Sequence, residues 1–282
     1  MTIKKSIVCT FLSMLIFGCS NDEEIGGSVL IFNEKEQALE IKDITTKIKK
    51  FSFPVLENIS QPIIIQGNND FISLTEGYGK DEHVIDLNSG KVSYNKNTIA
   101  SVVISDESRF FFEDADPPRQ YLFFQSGENL KKLTTITNSS AVSGDIIGNS
   151  YVSWYIPREM RMIIYTFSGQ LVDDFTLDCT DAIYLGNGKT FCLRSSSPSI
   201  IYDVHNKLEE VIDLDFTGHH ILSLSKDKNV VFFMVTSLSF DKGSFLSEML
   251  DIYSYNINDK KSELVGEKVQ HYASGLNILI ER

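Results

Sequence analysis

Two pairs of carboxylates are the residues of this 282-residue chain whose spacing best suits metal binding or catalysis. Asp114 and Asp116, like Asp213 and Asp215, are separated by one residue, so an extended backbone points both side chains of a pair to the same side. Such a pair could bind calcium or serve as an acid and a base. The chain holds 38 acidic residues, and acidic pairs are ordinary in solvated loops. The two pairs therefore define no activity by themselves.

The histidines add no metal chemistry, because their spacing does not suit a ligand set. His83, His205 and His271 are far apart in the sequence, and His219-His220 begins a predicted strand. Successive side chains of a strand point to opposite faces, so this pair cannot chelate one ion. We expect no metal ion and no cofactor.

A repeated pattern of turns and strands indicates the elements that must position these residues. Six short polar turns are each followed at once by a strand-forming apolar run; the turns centre on Asn68, Asp106, Asn149, Asn187, Asp227 and Ser274. The steps between them are 38, 43, 38, 40 and 47 residues. A period of roughly 40 residues is typical of a β-propeller whose blades have four strands, a to d.

The phase of the repeat predicts five complete blades and a sixth that is shared between the chain ends. The five blades span residues 61–96, 98–137, 141–177, 180–214 and 218–266. Val29–Phe32 and Ala38–Ile41 resemble a c–d hairpin, whereas Val269–Tyr272 and Leu276–Ile280 resemble strands a and b. Joining them closes the ring and removes exposed sheet edges. The predicted fold is an all-β, six-bladed β-propeller, and a sandwich of separate hairpins is the alternative.

Blade two carries a family resemblance. Val103–Phe112, Tyr121–Phe124 and Gly127–Thr134 resemble the repeat of the TolB-like six-bladed propellers. In that family the turn before strand b is typically Ser-Pro-Asp-Gly, and strand d ends in Leu-Thr. Blades two and five keep the Ser and the Asp, and no blade keeps the Pro. The resemblance implies the fold and little about function.

The N-terminal residues predict a lipoprotein signal peptide. Lys4 and Lys5 precede the apolar run Ile7–Phe17, which is too short to span a bilayer. Ile16-Phe17-Gly18-Cys19 resembles a lipobox, which predicts lipidation of Cys19. We therefore divide the chain into a signal peptide (1–18), a flexible acidic tether (19–27) and a single propeller domain (28–282). A plain secretory signal is the alternative.

The residues after Cys19 indicate where in the cell envelope the protein is expected. Ser20 next to the Cys resembles an outer-membrane signal of Gram-negative lipoproteins, and Asp22-Glu23-Glu24 resembles the export tag of some gut-bacterial surface lipoproteins. The acidic run could also be only a solvated tether. We expect an outer-membrane lipoprotein, either surface-exposed or facing the periplasm, with the lipid as its only membrane attachment. Without the two signal lysines the charge is 24 basic against 38 acidic residues, which argues against nucleic-acid binding.

The two cysteines of the mature chain flank the first hairpin of blade four. An oxidising compartment would permit a disulfide between Cys179 and Cys192. With Asn187-Gly188 as the hairpin turn, however, Cys192 faces residue 183. The register therefore disfavours the bridge.

The connections b–c and d–a should form one face of loops, where binding residues concentrate. The candidate binding residues on that face are Tyr78, Asp114, Asp116, Arg119, Arg158, Phe240, Asp241 and Phe245. The two phenylalanines could instead form a local core.

The composition and the loop face together favour a binding function. We expect a non-enzymatic scaffold for a protein or glycan partner. The alternative is an extracytoplasmic carbohydrate-active or other hydrolytic enzyme with acids such as Asp114, Asp116 and Asp241 at the propeller mouth. Glycosidic chemistry would need two carboxyl groups roughly 5 to 9.5 Å apart. A central pocket lined by two acids and an aromatic residue would favour the enzyme.

Overall fold

The structure is a computed structural model. It describes residues 28–33, 38–43, 49–54, 64–67, 70–75, 82–96, 98–114, 119–137, 143–194, 198–214, 219–225, 228–237, 248–271 and 278–279. Within these ranges the regular elements are β-strands and one 3-10 helix, Pro157–Glu159.

The strands form four-stranded antiparallel sheets. The first described strands are β1 (Ser28–Asn33), β2 (Ala38–Asp43) and β3 (Lys49–Pro54). Sheet 1 consists of β4 (Ile64–Gly67), β5 (Phe71–Thr75), β6 (Glu82–Asp86) and β7 (Val92–Asn95). Sheet 2 consists of β8 (Thr98–Ser105), β9 (Ser108–Asp114), β10 (Arg119–Ser126) and β11 (Asn129–Thr137). Sheet 3 consists of β12 (Ser143–Ile147), β13 (Tyr151–Ile156), β14 (Arg161–Thr166) and β15 (Leu171–Thr176).

Two further sheets follow in the same order. Sheet 4 consists of β16 (Asp181–Gly186), β17 (Lys189–Leu193), β18 (Ser199–Asp203) and β19 (Leu208–Ile212). Sheet 5 consists of β20 (His219–Leu224), β21 (Val230–Ser237), β22 (Glu248–Asn256) and β23 (Lys261–His271). The last strand, β24 (Ile278–Leu279), pairs with β1, and the terminal sheet has the order β24-β1-β2-β3.

The first strand of each consecutive sheet lies innermost. β4 contacts β8, β8 contacts β12, β12 contacts β16, and β16 contacts β20. Sheets that follow one another and meet through their first strands define a propeller. The predicted all-β propeller is confirmed, and the first four predicted blades match sheets 1 to 4 to within a few residues.

The terminal sheet corrects the predicted division between the chain ends. The described N-terminal residues supply three strands, so the predicted c–d hairpin of β1 and β2 forms the second and third strands of this sheet. β3 (Lys49–Pro54) is its fourth strand and was not predicted. Among the described C-terminal residues β24 alone joins this sheet, because residues 269–271 continue β23. Register shifts after Leu250 and Ile252 let β22 keep pairing with this long strand.

The described core fills the spaces between neighbouring sheets. One apolar cluster joins sheets 3, 4 and 5, and a second joins sheets 2 and 3. Trp154 in the second cluster is fully buried and meets Phe112 edge to face, with ring centroids 4.8 Å apart. Gly144 lies directly opposite Trp154, and a Cβ there would be 2.4 Å from the indole ring. The tryptophan therefore requires glycine on the neighbouring strand.

The register argument against a disulfide is wrong. Cys179 and Cys192 are bonded, with Cα atoms 5.5 Å apart. Within the hairpin, Cys192 faces Ala182, but Cys179 precedes β16 and is outside the strand register. The Thr180 N–H donates to the Leu193 carbonyl over 2.7 Å, which brings the preceding residue beside Cys192. Register rules apply only to paired residues and could not detect this approach.

Candidate functional site

The structure describes part of the predicted loop face. Asp114 ends β9, Arg119 begins β10, and Arg158 lies in the 3-10 helix between β13 and β14. Both arginines are exposed. The remaining predicted residues, Cys19, Tyr78, Asp116, Phe240, Asp241 and Phe245, lie outside the described residues.

Arg119 and Arg158 lie on neighbouring parts of this face. Arg119 pairs in register with Thr137, whose N–H and hydroxyl both donate to Glu159 Oε1, over 2.6 and 3.2 Å. Arg161 donates to Glu159 Oε2 over 3.3 Å and to both carboxylate oxygens of Asp174, over 2.8 and 2.6 Å. These contacts join the loop ends of sheets 2 and 3, so the two exposed arginines are placed on a fixed surface.

The other acidic pair of the sequence does not form a site that the structure describes. Asp213 is exposed after β19, and Asp215 lies outside the described residues. In the described part of the chain, no group of three or more His, Cys, Asp or Glu side chains is arranged to hold a metal ion. No helix among these residues has the length and apolarity to cross a membrane.

A different pair of carboxylates lies on the innermost strands. Asp145 is in β12 and Asp181 begins β16. Burial, together with the negative charge of Asp181, raises the pKa of Asp145 to about 7. The Asp181 carboxylate accepts hydrogen bonds from the N–H groups of Ala182, over 2.9 Å, and Ile221, over 3.0 Å. Burial and the charge of Asp181 thus both favour the protonated form of Asp145.

Tyr155 lies close to this inner carboxyl pair. Its hydroxyl donates to the carbonyl of the disulfide-bonded Cys179 over 2.5 Å. Burial raises the pKa of Tyr155 to about 12, and the charge of Asp181 adds to the effect. The phenol is therefore a neutral donor that anchors the chain before β16. Sequence reasoning missed this pair because the two residues are 36 positions apart and belong to different sheets.

The described residues also form a pocket on the opposite face, where the a–b and c–d turns lie. It is a cavity of about 230 Å³ between sheets 1 and 2. We call it the turn-face pocket; its polar wall contains Asp86, Lys91, Ser93, Asn95, Ser105, Asp106, Glu107, Ser108, Arg109 and Gln125. A more open depression of about 530 Å³ continues it toward Asp70 and Asn88. The predicted binding face is the b–c and d–a side, so the sequence did not indicate this pocket.

A buried carboxylate beneath the turn-face pocket joins the two sheets. Glu82 is fully buried, and its Oε1 accepts hydrogen bonds from Ser73, over 2.5 Å, and from Ser101. Its Oε2 accepts from Asn95, over 3.0 Å, and from Arg109. Four donors compensate the cost of burying one negative charge. Ser73 and Asn95 belong to sheet 1, whereas Ser101 and Arg109 belong to sheet 2.

Three contacts orient the Arg109 side chain, which is 14% exposed. Its Nη1 forms the ion pair with Glu82, its Nε donates to Gln125 Oε1 over 2.9 Å, and its guanidinium lies 4.2 Å from the centre of the Phe111 ring. Burial lowers the pKa of Arg109, and the negative charge of Glu82 opposes this effect. The guanidinium is therefore a fixed, charged part of the pocket wall. A charged residue directly before the apolar run Phe110–Phe112 was the sequence signal that could have pointed to it.

The fold and these sites define the chain as an all-β propeller with a polar pocket between two of its blades. No protein-family model matches the chain, and no curated protein matches it in sequence.

Solved structures share the fold at low sequence identity. TolB from Acinetobacter baumannii is similar over 90% of this chain, with 13% identity and a TM-score of 0.56, and the chain spans 66% of its length. A protein of unknown function from Bacteroides caccae is similar over 91% of this chain and all of its own length, with 10% identity and a TM-score of 0.51. A functionally unknown protein from Desulfotomaculum acetoxidans is similar over 86% of this chain and 80% of its own, with 11% identity and a TM-score of 0.51. These likenesses support the propeller fold and do not identify a ligand.

Proposed function

We propose that the chain is an outer-membrane or cell-surface lipoprotein whose propeller is a non-enzymatic binding scaffold for a protein or glycan partner. The fold is the observation that carries this proposal, because a propeller presents turns and loops on rigid faces where binding residues concentrate. The hydrogen-bonded polar wall of the turn-face pocket supports it further. Arg119 and Arg158 would add contacts on the loop face.

We also propose that the ring has six blades, with the terminal sheet as the sixth. The pairing of β24 with β1 supports this, since it brings the two chain ends into one sheet. Contact between β1 and β23 further supports placing this sheet beside sheet 5. Such closure leaves no blade without a neighbour.

Protease treatment of intact cells tests which side of the envelope the propeller faces, and membrane fractionation tests the lipid attachment. Added protease should remove the protein from cells if the propeller faces outward, and only after the envelope is opened if it faces the periplasm. Cys19→Ser is the control, because this variant should no longer fractionate with membranes. Membrane fractionation that is unchanged in Cys19→Ser would contradict the lipoprotein proposal.

The scaffold function is tested by binding of the purified protein to envelope proteins and to a glycan array. A specific partner of the loop face should be retained by the wild type and lost by an Arg119→Ala, Arg158→Ala double variant. Lys189→Ala, an exposed change at the start of β17, is the matched control and should bind like the wild type. Hydrolysis products released from a bound glycan would contradict a purely non-enzymatic scaffold.

Hydrolysis is the second candidate function, and the inner carboxyl pair is the observation that favours it. A carboxyl group whose pKa is raised to about 7 beside a second carboxyl group is an arrangement that acid and base catalysis uses. The test is release of reducing ends from polysaccharides. Both Asp145→Asn and Asp181→Asn should abolish such an activity, whereas Asp213→Asn should not.

A further inference from the structure

Glu82 orients two side chains on the wall of the turn-face pocket, one with a hydrogen-bond donor (Arg109) and one with an acceptor (Asn95). It fixes Arg109 through Nη1 and Asn95 through Nδ2. Within the described structure, Arg109 Nη2 and Asn95 Oδ1 have no hydrogen-bond partner, and both residues line the pocket. A donor fixed beside an acceptor complements a ligand group that both accepts and donates. Hydroxyl groups have this property.

The charges on the pocket wall are of both signs. Asp86, Asp106 and Glu107 lie at the rim with Lys91, and the charge of Arg109 is balanced by Glu82. A free anion would meet three carboxylates, and a simple cation has no lone pair that could accept the Arg109 N–H. A neutral ligand avoids both penalties and can still use the charged groups as hydrogen-bond partners.

The more enclosed part of the pocket has room for one small ring. Its volume of about 230 Å³ is below the range of roughly 300–1,000 Å³ that is usual for drug-sized ligands. Phe71, Val84 and Val103 supply an apolar part of the lining against which a ring can pack. An extended peptide would need an open sheet edge or a long groove, whereas this cavity lies between two sheets.

We propose that the turn-face pocket binds one neutral monosaccharide unit. Arg109 Nη2 donates to one oxygen of the sugar, and Asn95 Oδ1 accepts from a neighbouring hydroxyl. The rim groups Lys91 and Asp106 contact the outer hydroxyls. This inference rests on the proposed scaffold function and names the ligand class for one of its faces.

The experiment is calorimetric titration of the purified protein with a sugar panel. The probes are glucose, galactose, mannose and N-acetylglucosamine, each free and as the methyl glycoside, with glucuronate and glucosamine as charged comparisons. At least one neutral sugar should bind with a Kd in the millimolar range, about what one small ring supplies. Its charged counterpart should bind at least tenfold more weakly. Equal binding of the methyl glycoside would assign the site to a glycan terminus, and binding of only the free sugar to a soluble monosaccharide.

Variants locate the binding within the pocket. Asn95→Ala should weaken the sugar affinity at least tenfold, and Asp106→Asn, an exposed rim change, should weaken it severalfold without affecting the Glu82 network. Lys189→Ala is the control on another blade. The side-chain Nε–H resonance of Arg109 should shift on addition of the sugar, and Arg109→Lys identifies that resonance.

Three results would overturn the inference. The first is that no neutral sugar gives a binding heat or a shift of the Arg109 resonance at concentrations up to about 50 mM, well above a millimolar Kd. The second is tighter binding of a charged sugar than of its neutral counterpart. The third is sugar binding that Asn95→Ala and Asp106→Asn leave unchanged. If sugar binding fails but a partner still binds in a way that depends on Arg119 and Arg158, the scaffold function stands without this inference. If neither a sugar nor a partner binds, the scaffold function is contradicted as well.

Discussion

The wild type should become less stable to unfolding as pH rises above about 4, and the Asp145→Asn variant should not show this decrease. Burial and the neighbouring Asp181 raise the pKa of Asp145 from 3.8 to about 7 in the folded protein. Between these two values the folded state holds a proton that the unfolded chain has released. The free energy of unfolding therefore falls as pH rises through this window and is constant, for this group, above about pH 7.

The size of the effect follows from the two pKa values. Each pH unit corresponds to about 1.4 kcal/mol, so the interval from 3.8 to about 7 corresponds to a loss on the order of 4 kcal/mol. Asn resembles the protonated carboxyl in size and charge. The variant should therefore match the wild type near pH 4 and exceed its stability by a few kcal/mol at pH 8.

The measurement is urea unfolding from pH 4 to 8.5, followed by the fluorescence of the buried Trp154. The difference in unfolding free energy between Asp145→Asn and the wild type should grow with pH and level off above pH 7. Asp213→Asn, which changes an exposed carboxylate, should give a curve parallel to the wild type. Parallel curves for Asp145→Asn as well would refute the assignment of a raised pKa to this residue.

Three further substitutions test other features of the fold by chemical denaturation. Glu82→Gln should cost about 3–5 kcal/mol, because it leaves the Arg109 cation buried without its counter-ion; a cost below 1 kcal/mol would show that the pair does not join the sheets. Cys179→Ser should cost about 3 kcal/mol, as expected for a bridge that spans 13 residues, and dithiothreitol should then have no further effect on the variant; equal stability of both forms would contradict the bridge. Gly144→Ala should cost about 1–3 kcal/mol from the clash with Trp154, and Trp154→Phe should recover part of that loss; a neutral Gly144→Ala would contradict the close packing.

The turns were the most predictable part of the fold, because turn chemistry is local. Asn187 and Gly188 both adopt positive φ angles, 52° and 74°, as the predicted Asn-Gly hairpin requires. The same local signal placed sheets 1 to 4 within a few residues. β3 was missed because its sequence, Lys-Lys-Phe-Ser-Phe-Pro, begins with two charges and ends in proline.

The sites were less predictable, because they depend on contacts between blades. Glu82 and Arg109 are 27 residues apart, and neither sequence context indicates the other. Asp145 and Asp181 likewise belong to different sheets, 3 and 4. The register argument about the disulfide failed for a related reason, since Cys179 lies outside the paired strand residues that the sequence pattern could align with Cys192. Side chains that meet between sheets are fixed by blade packing, which a single repeat does not encode.

The pairing of β24 with β1 has a consequence for biosynthesis. Ser28 pairs with Leu279, so β1 cannot pair with β24 until about 250 further residues have been synthesised. At 5 to 20 residues per second this interval is roughly 10 to 50 s. During that time β1 presents an unpaired edge, and folding of the terminal sheet must wait for the end of translation. A chaperone that covers this edge would protect the nascent chain until its last residues arrive.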